Sequence, residues 1–160
     1  MNEIKKLFGK FIKHWPNYVF QSLAAMLIVM IIMVIMDMSE FVIISSIGAT
    51  TFIVFAMPGY HVARPRNIIG GHITGLFAGY LFTLLPMTGF FWEIVILGGA
   101  VGLSIFLMVV LDTEHPPASG TALGIVLYGF SLRTCLAIIV SAVILSLMHQ
   151  LLGNNIRDLT

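Results

Sequence analysis

Charge is what this sequence has least of: 9% of its 160 residues are Asp, Glu, Lys or Arg, against 59% that are hydrophobic. An ordinary soluble domain carries about 25% charged residues, so a water-solvated surface over most of the chain is excluded. Nucleic-acid readers present a basic face, and eight Lys and Arg against seven Asp and Glu do not supply one. Cysteine is almost missing too. Cys135 stands alone, which excludes an intramolecular disulfide and any paired-cysteine metal site. There is no Walker loop, no HExxH and no GxSxG. No enzyme, no metal and no cofactor is therefore expected.

What is present is long apolar runs. Residues 18–36 (YVFQSLAAMLIVMIIMVIM) contain no charge, the pattern of a transmembrane helix. Hydropathy places six segments at about 18–36, 41–57, 67–85, 94–111, 117–130 and 132–152. The expected fold is an all-α membrane protein of about six transmembrane segments. The fifth is short, roughly 20 Å of helix against a bilayer core of about 30 Å, so it half-spans or re-enters. The basic start runs into a full-length span with no small-residue cleavage site, so no signal peptide is expected.

All four lysines (Lys5, Lys6, Lys10, Lys13) lie in the first thirteen residues, opposite an apolar face of Ile4, Leu7, Phe8, Phe11, Ile12 and Trp15. That predicts an amphipathic interfacial helix over 1–15, broken by Pro16 from a transmembrane domain over 16–160. A cytoplasmic N-terminus leaves Arg133 as the one outside cation, which agrees with the positive-inside rule. The expectation is a multi-pass protein of the cell's inner (plasma) membrane, with the lipid bilayer as its first partner.

The two halves, about 16–86 and 87–153, resemble each other. Each has a long span, an acidic hinge (Asp37 and Glu40; Asp112 and Glu114), a small-residue stretch (Gly48-Ala49-Thr50-Thr51; Ser119-Gly120-Thr121-Ala122) and an arginine before its third span (Arg66; Arg133). Three spans per half makes the second copy inverted, a transporter signature with the site at the repeat interface. Gly71, Gly75 and Gly79 are spaced for close helix packing, as are Gly98 with Gly102 and Gly120 with Gly124, in the bundle or between subunits of a homo-oligomer.

Three polar clusters remain. In the first, Pro65 opens a helix whose first turn carries Arg66 and Asn67, with His72 deeper. The second is Asp112-Thr113-Glu114-His115-Pro116-Pro117, where two prolines set a helix start beside an acid and a histidine. Ionisable groups this close to hydrocarbon mark a site. The third pairs Ser45–Thr51 with Ser119-Gly120-Thr121, whose hydroxyls and amides suit a desolvated anion. The candidate pore or binding residues are Gly48, Ala49, Thr50, Thr51, Arg66, Asn67, His72, His115, Ser119, Gly120 and Thr121. Pro65, Gly71, Gly75, Gly79, Asp112, Glu114, Pro116 and Pro117 are assigned structural or coupling roles.

Gly48-Ala49-Thr50, Pro58, Pro65-Arg66-Asn67, Gly70-Gly71-His72 and His115-Pro116-Pro117-Ala118 together resemble the HPP family of integral membrane proteins, over about residues 40–125. The resemblance implies nitrite transport. It departs from the family pattern at Ser119 and in the Gly59–Val62 linker. The leading expectation is a transporter or channel for a small monovalent inorganic anion, most of all nitrite. Alternatives are a divalent-cation or proton-coupled transporter, using Asp37, Glu40, Asp112, Glu114 and His115, and a non-transporting membrane scaffold.

Overall fold

A computed structural model of the chain describes residues 2–35, 41–153 and 155–159. Among them the regular structure is helical throughout: α1 (Asn2–Ile35), α2 (Phe41–Ala56), α3 (Pro65–Thr83), α4 (Phe90–Val110), α5 (Pro117–Tyr128) and α6 (Leu132–Leu152), with a short 3-10 turn at His61–Ala63. Three stretches are long and apolar enough to cross a membrane: Phe11–Val34, Phe90–Val110 and Leu132–Leu152. α2 and α5, with 16 and 12 residues, reach only about 24 and 18 Å. The protein is an all-helical membrane protein.

One expectation fails at the N-terminus. The helix does not break at Pro16, which sits inside an unbroken α1. Proline removes one N–H and crowds one carbonyl, and here the turns before and after it hold. Residues 2–15 of the expected amphipathic segment are thus the first part of α1 rather than a separate helix. The hinge acids Asp37 and Glu40 lie outside the described residues.

α3 is the centre of the bundle, packed on α4, α5 and α6, while α2 packs on α1, α5 and α6. The α3–α5 crossing is the closest because glycine lines it. A Cβ on Gly71 would strike the Cβ of His115 at 2.6 Å, and one on Gly79 would lie 2.7 Å from the Ala122 carbonyl oxygen. Gly120 faces Ser46 and Gly124 faces Ile43, so glycine also lines the contact of α5 with α2. Gly98 and Gly102 take no part in packing within the bundle: a Cβ on either would have no neighbour within 4 Å in this chain. The packed glycine of α4 is Gly99, under the Phe82 ring.

The ends of the spans are tied on one face. Gln21, fully buried in α1, donates to the Phe55 and Arg157 carbonyls. Leu159 N–H donates to the Ala56 carbonyl, Gly59 N–H to the Asp158 carboxylate, and His149 bonds the Pro58 carbonyl. Gln21→Leu should leave both carbonyls without this donor, costing about 1–3 kcal/mol for a buried one. The expected result is faster proteolysis of 155–159 with the helices intact. Unchanged cleavage would show that the tail is held without Gln21.

Candidate functional site

The sequence-predicted site residues divide into a buried group and a surface group. α2 turns Ser46 and Thr50 inward, one helical turn apart, and α5 turns Thr121 toward them. α3 carries His72 between the two helices. The segment between α4 and α5 supplies His115, which is buried like His72. Thr50 Oγ1 lies 3.0 Å from His72 Nε2 and 2.9 Å from His115 Nε2. His72 Nδ1 lies 2.8 Å from Thr121 Oγ1, and Thr121 Oγ1 lies 3.0 Å from Ser46 Oγ. The imidazole centroids are 5.3 Å apart.

Local sequence explains the placement of His115. α4 ends with Asp112 at φ 53, a left-handed position that Asp tolerates better than most residues. The Thr113 and Asp112 N–H groups return to the Met108 and Val109 carbonyls, a Schellman closure. Pro117 then begins α5 at its first position, where a missing N–H costs nothing. Between those two ends of helix His115 lies fully buried. The Val62 carbonyl completes the pocket, 2.8 Å from His115 Nδ1. A carbonyl only accepts, so Nδ1 carries the hydrogen, and Nε2 of the neutral ring accepts from the Thr50 hydroxyl.

Arg66 is elsewhere. Its guanidinium donates to Asp112 at 2.6 Å and to the Leu111 carbonyl at 3.0 Å, on side chains that are 64% and 75% exposed for Arg66 and Asp112. It therefore closes the α3 start onto the α4 end and does not touch the buried group. Asn67, the next residue, is buried and donates to the Glu114 carbonyl. Thr51 is buried on another face of α2, bonded to the Ile47 carbonyl, while Ala49 is exposed. Gly48 has nothing near it, and Ser119 is half-buried beside Gly120.

The expectation of free amides at the α5 start is corrected as well. Ala118 N–H donates to the His115 carbonyl and Ser119 N–H to the Pro116 carbonyl. The polar capacity of the site therefore resides in side chains rather than in backbone donors. Three participants were absent from the candidate list: Ser46, the Val62 carbonyl and, on the tied face, Gln21. Ser46 was legible as the residue one turn before Thr50. The carbonyl carried no signal, since any residue has one.

A family model described as "HPP, transmembrane region" matches residues 11–159. The chain is also 36% identical over 89 residues to a transmembrane protein of Dictyostelium discoideum. That alignment covers 55% of this chain and 31% of the relative, so the chain spans about a third of that protein's length. No solved structure matches the chain.

Proposed function

From a chain that belongs to the HPP family of membrane proteins, we propose a transporter for a small monovalent inorganic anion, with nitrite as its substrate. One observation carries this reading. Two helices too short to span alone, α2 and α5, meet α3 at a buried row of hydroxyl and imidazole groups. Discontinuous helices that meet at a polar site are how secondary transporters build substrate sites, and a polar row in apolar surroundings is costly unless it serves one.

The row offers neutral donors and acceptors to a small ion. Arg66 and Asn67 stand at the opening of α3 on the face that carries Arg64 and Arg157. Under the positive-inside rule that face is cytoplasmic, as is the N-terminus, in a cell's inner membrane. The halves 16–86 and 87–153 are read as an inverted repeat that places Thr50 and Thr121 on opposite sides of His72. The open Gly98–Gly102 face of α4 suits a second copy of the chain.

Purified protein in liposomes, assayed for nitrite, chloride and divalent-cation flux, tests the reading. Saturable nitrite uptake above that of protein-free liposomes is expected; uptake equal to them would overturn it. Arg66 is then an attracting charge at the entrance and not a ligand. Arg66→Ala should cost under about 1 kcal/mol of stability, as an exposed pair does, and slow nitrite uptake several-fold at low salt. Arg66→Lys should retain part of the rate. Uptake unchanged by Arg66→Ala at every ionic strength would remove Arg66 from the path.

A further inference from the structure

The buried row has fewer hydrogens than it has places for them. With both rings neutral, the Thr50 hydroxyl has one hydrogen and two acceptors, His115 Nε2 at 2.9 Å and the Ser46 carbonyl at 3.1 Å. Ser46 likewise has one hydrogen for the Pro117 carbonyl at 2.5 Å and Thr121 Oγ1 at 3.0 Å. The neutral assignment runs in one direction. Thr121 O–H donates to His72 Nδ1, His72 Nε2–H to Thr50, Thr50 O–H to His115 Nε2, and His115 Nδ1–H to the Val62 carbonyl.

A proton added to either ring repairs a shortage without moving a heavier atom. On His115, Nε2–H donates to Thr50, and the Thr50 hydrogen turns to the Ser46 carbonyl. On His72, Nδ1–H donates to Thr121, Thr121 turns to Ser46 Oγ, and Ser46 donates to the Pro117 carbonyl. From the His72 state the proton crosses Thr50, and the relay leaves His72 as its Nδ1–H tautomer with Nε2 accepting from the Thr50 hydroxyl. His72 loses its Nε2–H to the hydroxyl oxygen as that oxygen gives its own hydrogen to His115 Nε2. One N–H bond breaks, one forms, and the hydroxyl keeps a single hydrogen.

We infer that the His72–Thr50–His115 unit is a proton-carrying site, and that the transported anion and one proton cross together. This rests on the transport reading above and names its coupling ion. A lone charge at this depth is costly, whereas a proton and a monovalent anion arriving together add none.

The surroundings leave the proton to this pair. α2 and α5 contain no charged residue. His72 is the titratable group that faces His115 from α3. Arg66 and Asp112 are exposed and paired to each other, His61 and Arg64 are exposed, and Glu114 is half-buried with its carbonyl bonded to Asn67. The His115 Nδ1–H bond to the Val62 carbonyl ties this ring to the α2–α3 connection.

Two measurements on the reconstituted full chain test this. Solid-state NMR of histidine 15N should show opposite neutral tautomers, Nδ1–H for His115 and Nε2–H for His72. As the pH is lowered, both rings should respond together. Thr50→Val should separate their responses, and Thr50→Ser should restore the coupling. A trapped pH dye should record acidification in step with nitrite uptake, above the leak of protein-free liposomes. Nitrite uptake without proton movement overturns the proton inference and leaves the anion reading standing. Coupled titration of the rings without nitrite uptake removes nitrite and supports the proton site. Identical tautomers, or rings that titrate independently in the unaltered protein, overturn the inference without any variant.

Discussion

Gly75→Ala should disassemble the α3–α5 crossing. A Cβ at this position would be driven into the Ala118 carbonyl oxygen, with the Ala118 carbonyl carbon at 3.2 Å and the Thr121 Cβ at 3.4 Å. Two of these atoms are backbone, so no rotamer change relieves the clash; α3 and α5 must part. Overpacking a close contact costs about 1–3 kcal/mol, and here the same shift pulls Thr121 away from His72. The expected result is a clear drop in the detergent melting temperature together with loss of transport. Gly98→Ala and Gly102→Ala are the internal control, because neither position has a neighbour within 4 Å. Within one chain they should be neutral. If they lower the melting temperature or the oligomer size as much as Gly75→Ala does, the α4 face packs against another copy. A Gly75→Ala protein as stable as the unaltered chain would mean that the crossing is looser than described.

His115→Gln should separate a structural histidine from a proton-carrying one. Glutamine can donate to the Val62 carbonyl and accept from the Thr50 hydroxyl, the two bonds that His115 makes. The fold should therefore survive within about 1 kcal/mol, the net worth of a typical hydrogen bond. Glutamine cannot take up a proton. Nitrite uptake should fall about a hundredfold, the low end of what proton transfer by a positioned side chain contributes, and the remaining rate should lose its pH dependence. His115→Leu would instead leave the Thr50 hydroxyl and the Val62 carbonyl without this partner. It should cost about 1–3 kcal/mol for each group left unsatisfied, so stability and transport fall together. Near-normal, pH-dependent uptake by the His115→Gln protein would reduce His115 to a structural bond.

Most of the helices could be read along the chain because each is a local statement. Long apolar runs mark α1, α4 and α6, proline at the first position marks the starts of α3 and α5, and glycine every fourth residue marks the α3 face that α5 meets. Ser131 accepts the Thr134 N–H at the start of α6, again a signal held within four residues. The break expected at Pro16 was a local rule, and the helix runs through it.

The site was legible in kind but not in membership. Ionisable and hydroxyl residues inside apolar runs are costly, so their types point to function before any fold is known. Helical spacing can also say that Ser46 and Thr50 share a face. It cannot say which of Arg66, His72 and His115 that face will meet, because they lie 16 to 69 residues from these positions in sequence. Packing made that choice. The glycine-lined approach of α3 to α5 brings His72 and Thr121 within hydrogen-bond reach, and the Schellman end of α4 with the proline start of α5 points His115 inward. The same end sets Asp112 outward, where it takes Arg66 to the surface. Composition and spacing determined a helical membrane protein with buried histidines. The tertiary structure decided that the histidines share one threonine hydroxyl while the arginine stands apart, since only contacts between distant segments settle which polar groups leave water together.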